Sequence, residues 1–172
     1  MYDLFLRTDI RISDLIRNPF HNAKGITKAY KLLTKLVKRY HCANCAELTR
    51  LANLICAVNG IDSTPIGMML CDKEGKIFSY VDHAALAIPL KEGSLSCNKM
   101  SKIKDVIIID PWLGIADYAR NAALEYQNKF QKHLNMPKDS QIMMDPFTSL
   151  PAIPIEEFQN LRKEFPNLIL NA

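Results

Sequence analysis

Helical periodicity, then extended segments, then helical periodicity again: this order along 172 residues predicts an α+β fold. Three observations carry the prediction. Apolar residues recur at three- and four-residue intervals from 26 to 58. After Gly60 that spacing gives way to extended runs divided by the turn "DKEGK". Further on, "VIII" (106–109) places four β-branched residues in succession, the mark of a strand covered on both faces.

Taken in order, the first twenty residues read as a short helix or extended arm ending at "NPF". A basic amphipathic helix is expected from about 26 to 40. Tyr30, Leu33, Val37 and Tyr40 lie at helical spacing there, with Lys28, Lys31, Lys35, Lys38 and Arg39 around them. A second helix is expected from Cys45 to about Val58. Leu48, Leu51, Ala52, Ile55 and Val58 would form its buried face, and Gly60 would stop it. "TPIGMMLCD" and "KIFSYVD" flank the turn as a hairpin, and "HAALAIPL" reads as a further strand opened by His83. "KEGSLSCNKMSKIK" is a polar loop, "DVIIIDPWLG" a central strand, and "ADYARNAALEYQNKFQKHL" a long helix. Proline-rich turns, "MDPFTSLPAIP", lead to a last helix in "IEEFQNLRKEF". With no internal repeat and no long linker, residues 1–172 are expected to form one domain. Its core would span about 41–114, preceded by a helical segment (1–40) and followed by C-terminal helices (115–172).

Composition bounds what the chain can do. It is 48% hydrophobic and 23% charged, the balance of a globular protein. A formal net charge of +4 falls short of the bias of a nucleic-acid binder, and a solvated face explains the lysines of 28–39 most simply. No apolar run approaches the ~20 residues that span a bilayer. Asp3, Arg7, Asp9 and Arg11 charge the N-terminus, unlike a secretory signal. Five cysteines, an odd number at scattered positions, point to free thiols in a reducing compartment, with export that reads no cleaved signal left open.

The chemistry gathers at "HCANCAEL". Asn44 is a good N-cap and Glu47 stands three residues on, a capping-box pattern that makes Cys45 the first helical residue. A sulfur there lies beside unpaired backbone N–H groups and the positive end of the helix dipole, which favour the thiolate and can also receive an oxyanion. Such a nucleophile needs a base. His21 and His133 fall in polar stretches, and His41 stands too close in the chain for a productive angle, so His83 is the candidate. The third group would be Asp110, at the end of "VIIID" and before Pro111. If the two strands are antiparallel neighbours, the start of one lies beside the end of the other and His83 meets Asp110. Glu47 reads as a cap sooner than a base, and Trp112 as packing that can cover the site. Cys56 reads as a buried structural thiol, with Cys71 and Cys97 structural or incidental.

Two rival readings attach to the same residues. "HCANC" contains C-x-x-C, and Cys42 with Cys45 could join His83 or Asp110 around zinc, although no second close ligand pair is present. Alternatively the basic helix 26–40 could dock an acidic partner in a non-catalytic module, with Cys45 as packing.

"NCAELTRLA", "VDHAALAI" and "VIIIDPWLG" together resemble the Cys-His-Asp segments of papain-like cysteine hydrolases, especially secreted bacterial effectors and toxin domains. The resemblance covers roughly 44–114. It implies a nucleophile at the start of a central helix packed on an antiparallel sheet with flanking helices. Cys45 would be that nucleophile, His83 its base and acid, and Asp110 the orienting group. It further implies a protease, glutamine deamidase or transglutaminase-like activity that needs no cofactor or metal. The substrate would be a host protein, such as a ubiquitin-pathway component or a small GTPase, reached by translocation from the bacterial cytoplasm to the host cytosol. Members often carry Gly-Asn-Cys-Gly, where this chain has Ala43 and Ala46. Papain's oxyanion glutamine, six residues before its cysteine, corresponds to Arg39, which leaves that role to backbone or to Asn44.

Overall fold

The computed structural model describes residues 23–40, 43–96, 99–134, 139–145 and 152–170. The expected N-terminal arm, His21, His41, Cys42 and Cys97 lie outside these residues, as do the side chains of Arg39, Tyr40 and His133. The described residues form a mixed α+β structure around a five-stranded, wholly antiparallel sheet. Its strands are β1 (Thr64–Cys71), β2 (Ile77–Pro89), β3 (Val106–Asp110), β4 (Ile115–Tyr118) and β5 (Gln141–Asp145), ordered β4-β3-β2-β1-β5. Four α-helices accompany it: α1 (Ala23–Tyr40), α2 (Cys45–Val58), α3 (Ala119–Leu134) and α4 (Phe158–Glu164).

Alternation along the strands explains how both faces of the sheet are covered. Ile66, Met68, Ala85, Ala87, Val106 and Ile108 turn toward α3, where Ala119, Ala122, Ala123, Tyr126 and Phe130 bury against them. Leu86, Ile88 and Ile109 point the opposite way, toward Ala52 and Cys56 of α2. The far side of α2 offers Leu54, Ala57 and Val58 to Tyr30 and Leu33 of α1 and Leu161 of α4. α2 is therefore clamped between the sheet and two outer helices. This corrects the expectation of a single buried face: Ile55 is 39% exposed, while Thr49, Arg50 and Asn53 are buried.

Local signals set the ends of α2. Asn44 Oδ1 accepts the N–H groups of Ala46 and Glu47 at 2.9 and 3.1 Å, and Glu47 Oε2 accepts the Asn44 N–H at 2.9 Å. At the other end Gly60, at φ 73°, donates to Ala57 while Ile61 donates to Cys56, a Schellman closure. The β1–β2 hairpin closes where the notch between Asp72 and Lys76 is bridged twice, by backbone and by the Asp72 carboxylate, with Gly75 at φ 90°.

Three expectations about strands are corrected. "KIFSYVD" and "HAALAIPL" are one strand, so His83 lies within β2 and does not open it. Residues 115–118, expected inside or just before the long helix, pair with β3 as a short edge strand, and the helix starts at Ala119. "QIMMD" adds β5 beside β1, so the stretch 115–172 is not helical throughout. Both added strands are edges of four or five residues, short enough for tertiary pairing to decide their form.

Candidate active site

The register of β2 creates the site. Gly67 pairs with Ala84, but the next β1 residue, Met68, pairs with Val81, so Asp82 and His83 are extra residues on β2. A bulge of this kind bends the strand and re-aims its side chains. On the other side, the last β2–β3 pair is Leu86 with Ile109. Continuing that register places Asp110 opposite Ala85, and His83 is its diagonal neighbour on the same face. The expected contact forms: His83 Nε2 lies 2.5 Å from Asp110 Oδ2, both side chains being buried. The cause differs from the expectation in one respect, since a bulge inside a long strand places His83 where a strand start was foreseen.

Asp110 is saturated with donors. Besides the imidazole, Oδ2 accepts the Tyr126 hydroxyl at 2.9 Å, and Oδ1 accepts the Trp112 and Leu113 N–H groups at 3.0 Å each. The residue thus initiates the turn after β3 and orients His83 at the same time. Lys129 Nζ donates to the Leu113 carbonyl at 2.7 Å and fixes the turn to α3. Burial alone would push the Asp110 carboxyl up. The hydrogen bonds from His83, Leu113 and Tyr126 and the imidazolium charge outweigh it and hold the group below its ordinary value.

His83 is enclosed by rings: Trp112 at 5.4 Å between centroids, Phe130 at 5.9 Å and Tyr126 at 6.1 Å, the last two edge-on. Trp112 is itself 55% exposed, so it roofs the imidazole from the solvent side. Burial pulls His83 down, but hydrogen bonds to Asp110 and to the Cys45 side chain, with the charges of both, raise it from 6.5 to about 9. With Nε2 given to Asp110, Nδ1 is the ring nitrogen left for the sulfur. Cys45 at the start of α2 and Asp110 at the end of β3 therefore both bear on His83 in the bulge of β2, Asp110 through a direct hydrogen bond and Cys45 as a neighbour that raises the imidazole.

Two residues outside the sequence expectation hold this arrangement in place. Thr49 Oγ1 donates to the Ala84 carbonyl at 3.0 Å, tying the first turns of α2 to the residue after His83. Tyr126 donates to Asp110 Oδ2, the same oxygen that His83 engages. Its signal was present in the sequence: a tyrosine in an apolar helical stripe of alanines and Phe130 must bury a hydroxyl that needs a partner. Glu47 and Asn44 serve as reciprocal caps, as expected, with Glu47 buried at 7% exposure. Because Asn44 Oδ1 consumes the N–H groups of Ala46 and Glu47, the first-turn donors open to a ligand reduce to the Cys45 N–H and the Asn44 Nδ2 amide.

Cys56 and Cys71 are buried, and burial pushes both thiols up. Cys42, the other half of the C-x-x-C, lies outside the described residues. No helix among the described residues is long and apolar enough to cross a membrane. No protein-family model, curated protein or solved structure matches the chain.

Proposed function

We propose that this chain is a papain-like cysteine-dependent amide hydrolase or acyltransferase acting on a protein substrate. The observation that carries the reading is the convergence on His83 of a hydrogen-bonded, buried Asp110 and the neighbouring Cys45, drawn from a strand bulge, a strand end and a helix start. A thiol that merely packs has no need of a histidine backed by a buried carboxylate.

The chemistry follows from the positions. The Cys45 sulfur attacks an amide carbonyl carbon with the shared proton already resting on His83, whose imidazole stays protonated to about 9. The Cys45 N–H and Asn44 Nδ2 receive the resulting oxyanion. His83 then gives its proton to the leaving nitrogen as the C–N bond breaks, which leaves a thioester on Cys45. Water, losing a proton to His83, attacks the thioester; carboxylate is released and the thiol restored. Ammonia as the leaving group makes the reaction a deamidation, and a peptide amine makes it proteolysis. A lysine amine in place of water makes it transamidation. Throughout, Asp110 keeps the imidazole oriented and offsets its charge, while the aromatic enclosure excludes water and strengthens both interactions.

The resemblance of the three segments to secreted bacterial effectors supports a host protein as substrate, with ubiquitin-pathway components and small GTPases the first to test. Mass spectrometry of such proteins after incubation decides among the reactions. Glutamine converted to glutamate marks deamidation, new termini mark proteolysis, and an amine adduct or crosslink marks transamidation. Each change is expected with the wild type and absent with Cys45→Ala. Products that persist with Cys45→Ala contradict the proposal.

A further inference from the structure

The basic helix α1 carries charge in a pattern its packing does not require. Its buried stripe, Tyr30 and Leu33 with Val37 alongside, faces α2 and α4. Lys28, Lys31, Lys35 and Lys38 occupy the opposite side, all exposed. At 100° per residue they fall within an arc of about 80° and form a single row about 15 Å long. Residues 23–40 hold six basic and no acidic groups, whereas the rest of the chain holds sixteen basic and eighteen acidic ones. The molecule's whole net positive charge therefore belongs to this one rod.

We infer that the lysine row of α1 is a docking surface for an acidic helix of a partner protein. The 3-4-3 spacing of the row is the spacing at which two helices packed side by side meet along a seam. Glutamates at the same spacing on a partner helix would stay in register along its length. The row already takes one carboxylate, since Lys31 Nζ is ion-paired with Glu164 of α4. Lys28, Lys35 and Lys38 have no carboxylate partner among the described residues. A bilayer fits less well, because the apolar face of α1 is spent inside the protein and the charged row is one residue wide. A nucleic acid fits less well too, since the chain's formal net charge of +4 falls short of the basic bias of such binders. Tyr40, which ends α1, and Asn44 are four residues apart, so at most about 14 Å of chain separates the end of α1, two residues past Lys38, from the start of α2. A partner bound along α1 would thus be presented at the end of the molecule that holds Cys45.

The test uses a synthetic helical peptide about 20 residues long with glutamates at 3-4-3 spacing, and a scrambled peptide of equal composition. Fluorescence anisotropy should show the patterned peptide binding about ten-fold more tightly than the scrambled one, and weakening as salt rises from about 50 to about 300 mM. Reversing Lys28, Lys35 and Lys38 to glutamate should abolish that preference. Reversing the exposed Lys73, Lys102 and Lys104 should leave it intact. Equal binding of the two peptides, or equal loss in both triple variants, overturns the inference. So does tighter binding of the row to phosphatidylserine vesicles or duplex DNA than to the peptide. Cys45→Ala should bind the peptide like the wild type, so docking and catalysis fail or succeed separately.

Discussion

Four hydrogen-bond donors converge on the Asp110 carboxylate, and the consequences are measurable one residue at a time. His83, held protonated to about 9, should give kcat/KM an alkaline limb near that pH, where the imidazole can no longer protonate the leaving nitrogen. A limb near the ordinary histidine value would show that Asp110 and Cys45 do not bear on the ring. Tyr126→Phe removes one donor from the buried Oδ2, so the carboxylate should hold the imidazolium harder and move the limb upward. The same change should cost roughly 1.5–3 kcal/mol of stability in urea unfolding, the range for a buried bond to a charged group. A variant that unfolds earlier with an unmoved limb would confine Tyr126 to packing.

At the scale of elements, α2 and β2 must be locked to each other for the thiol and the imidazole to meet. Asn44→Ala deletes the acceptor of two first-turn N–H groups and should cost about 1 kcal/mol in unfolding free energy. It should lower kcat as well, because Asn44 Nδ2 is lost with it; unchanged kcat would leave the oxyanion to backbone alone. Thr49→Val keeps shape but strips the buried Ala84 carbonyl of its donor, and should destabilise by about 1–3 kcal/mol. α2 was legible in the sequence to the residue because its signals are local: a cap, a box partner three positions on, and a glycine beyond the end. The His83–Asp110 contact was also legible, since two antiparallel neighbours bring those ends together. The bulge that positions His83 was not, because a register shift is a property of the pairing with β1 and leaves no mark on "YVDHAA" alone. β4 and β5 escaped for a related reason: strands this short have no period of their own and take their form from the neighbour. Ile55 was misplaced because a helix clamped on two sides does not bury one simple stripe.

Across the whole molecule, the buried ion pair makes stability depend on pH in both directions. His83 is raised in the folded state, so its contribution is complete below about 6.5 and disappears as pH climbs through about 9. Asp110 is lowered, so its contribution is complete above its ordinary carboxyl value of 3.8 and disappears as pH falls through the depressed one. Denaturant midpoints should accordingly peak between about pH 4 and 6.5, and the alkaline loss should shrink in His83→Ala; a profile indifferent to that substitution would mean the pair is not ionised. The central claim is that side chains from α2, β2 and β3 act as one chemical unit, and iodoacetamide labelling resolved by peptide mass spectrometry tests it most directly. At pH about 6 the wild type should be alkylated at Cys45 about ten-fold or more faster than at buried Cys56 and Cys71, and His83→Ala should lose that excess. Cys45 labelling at the same rate with and without the imidazole would contradict the account.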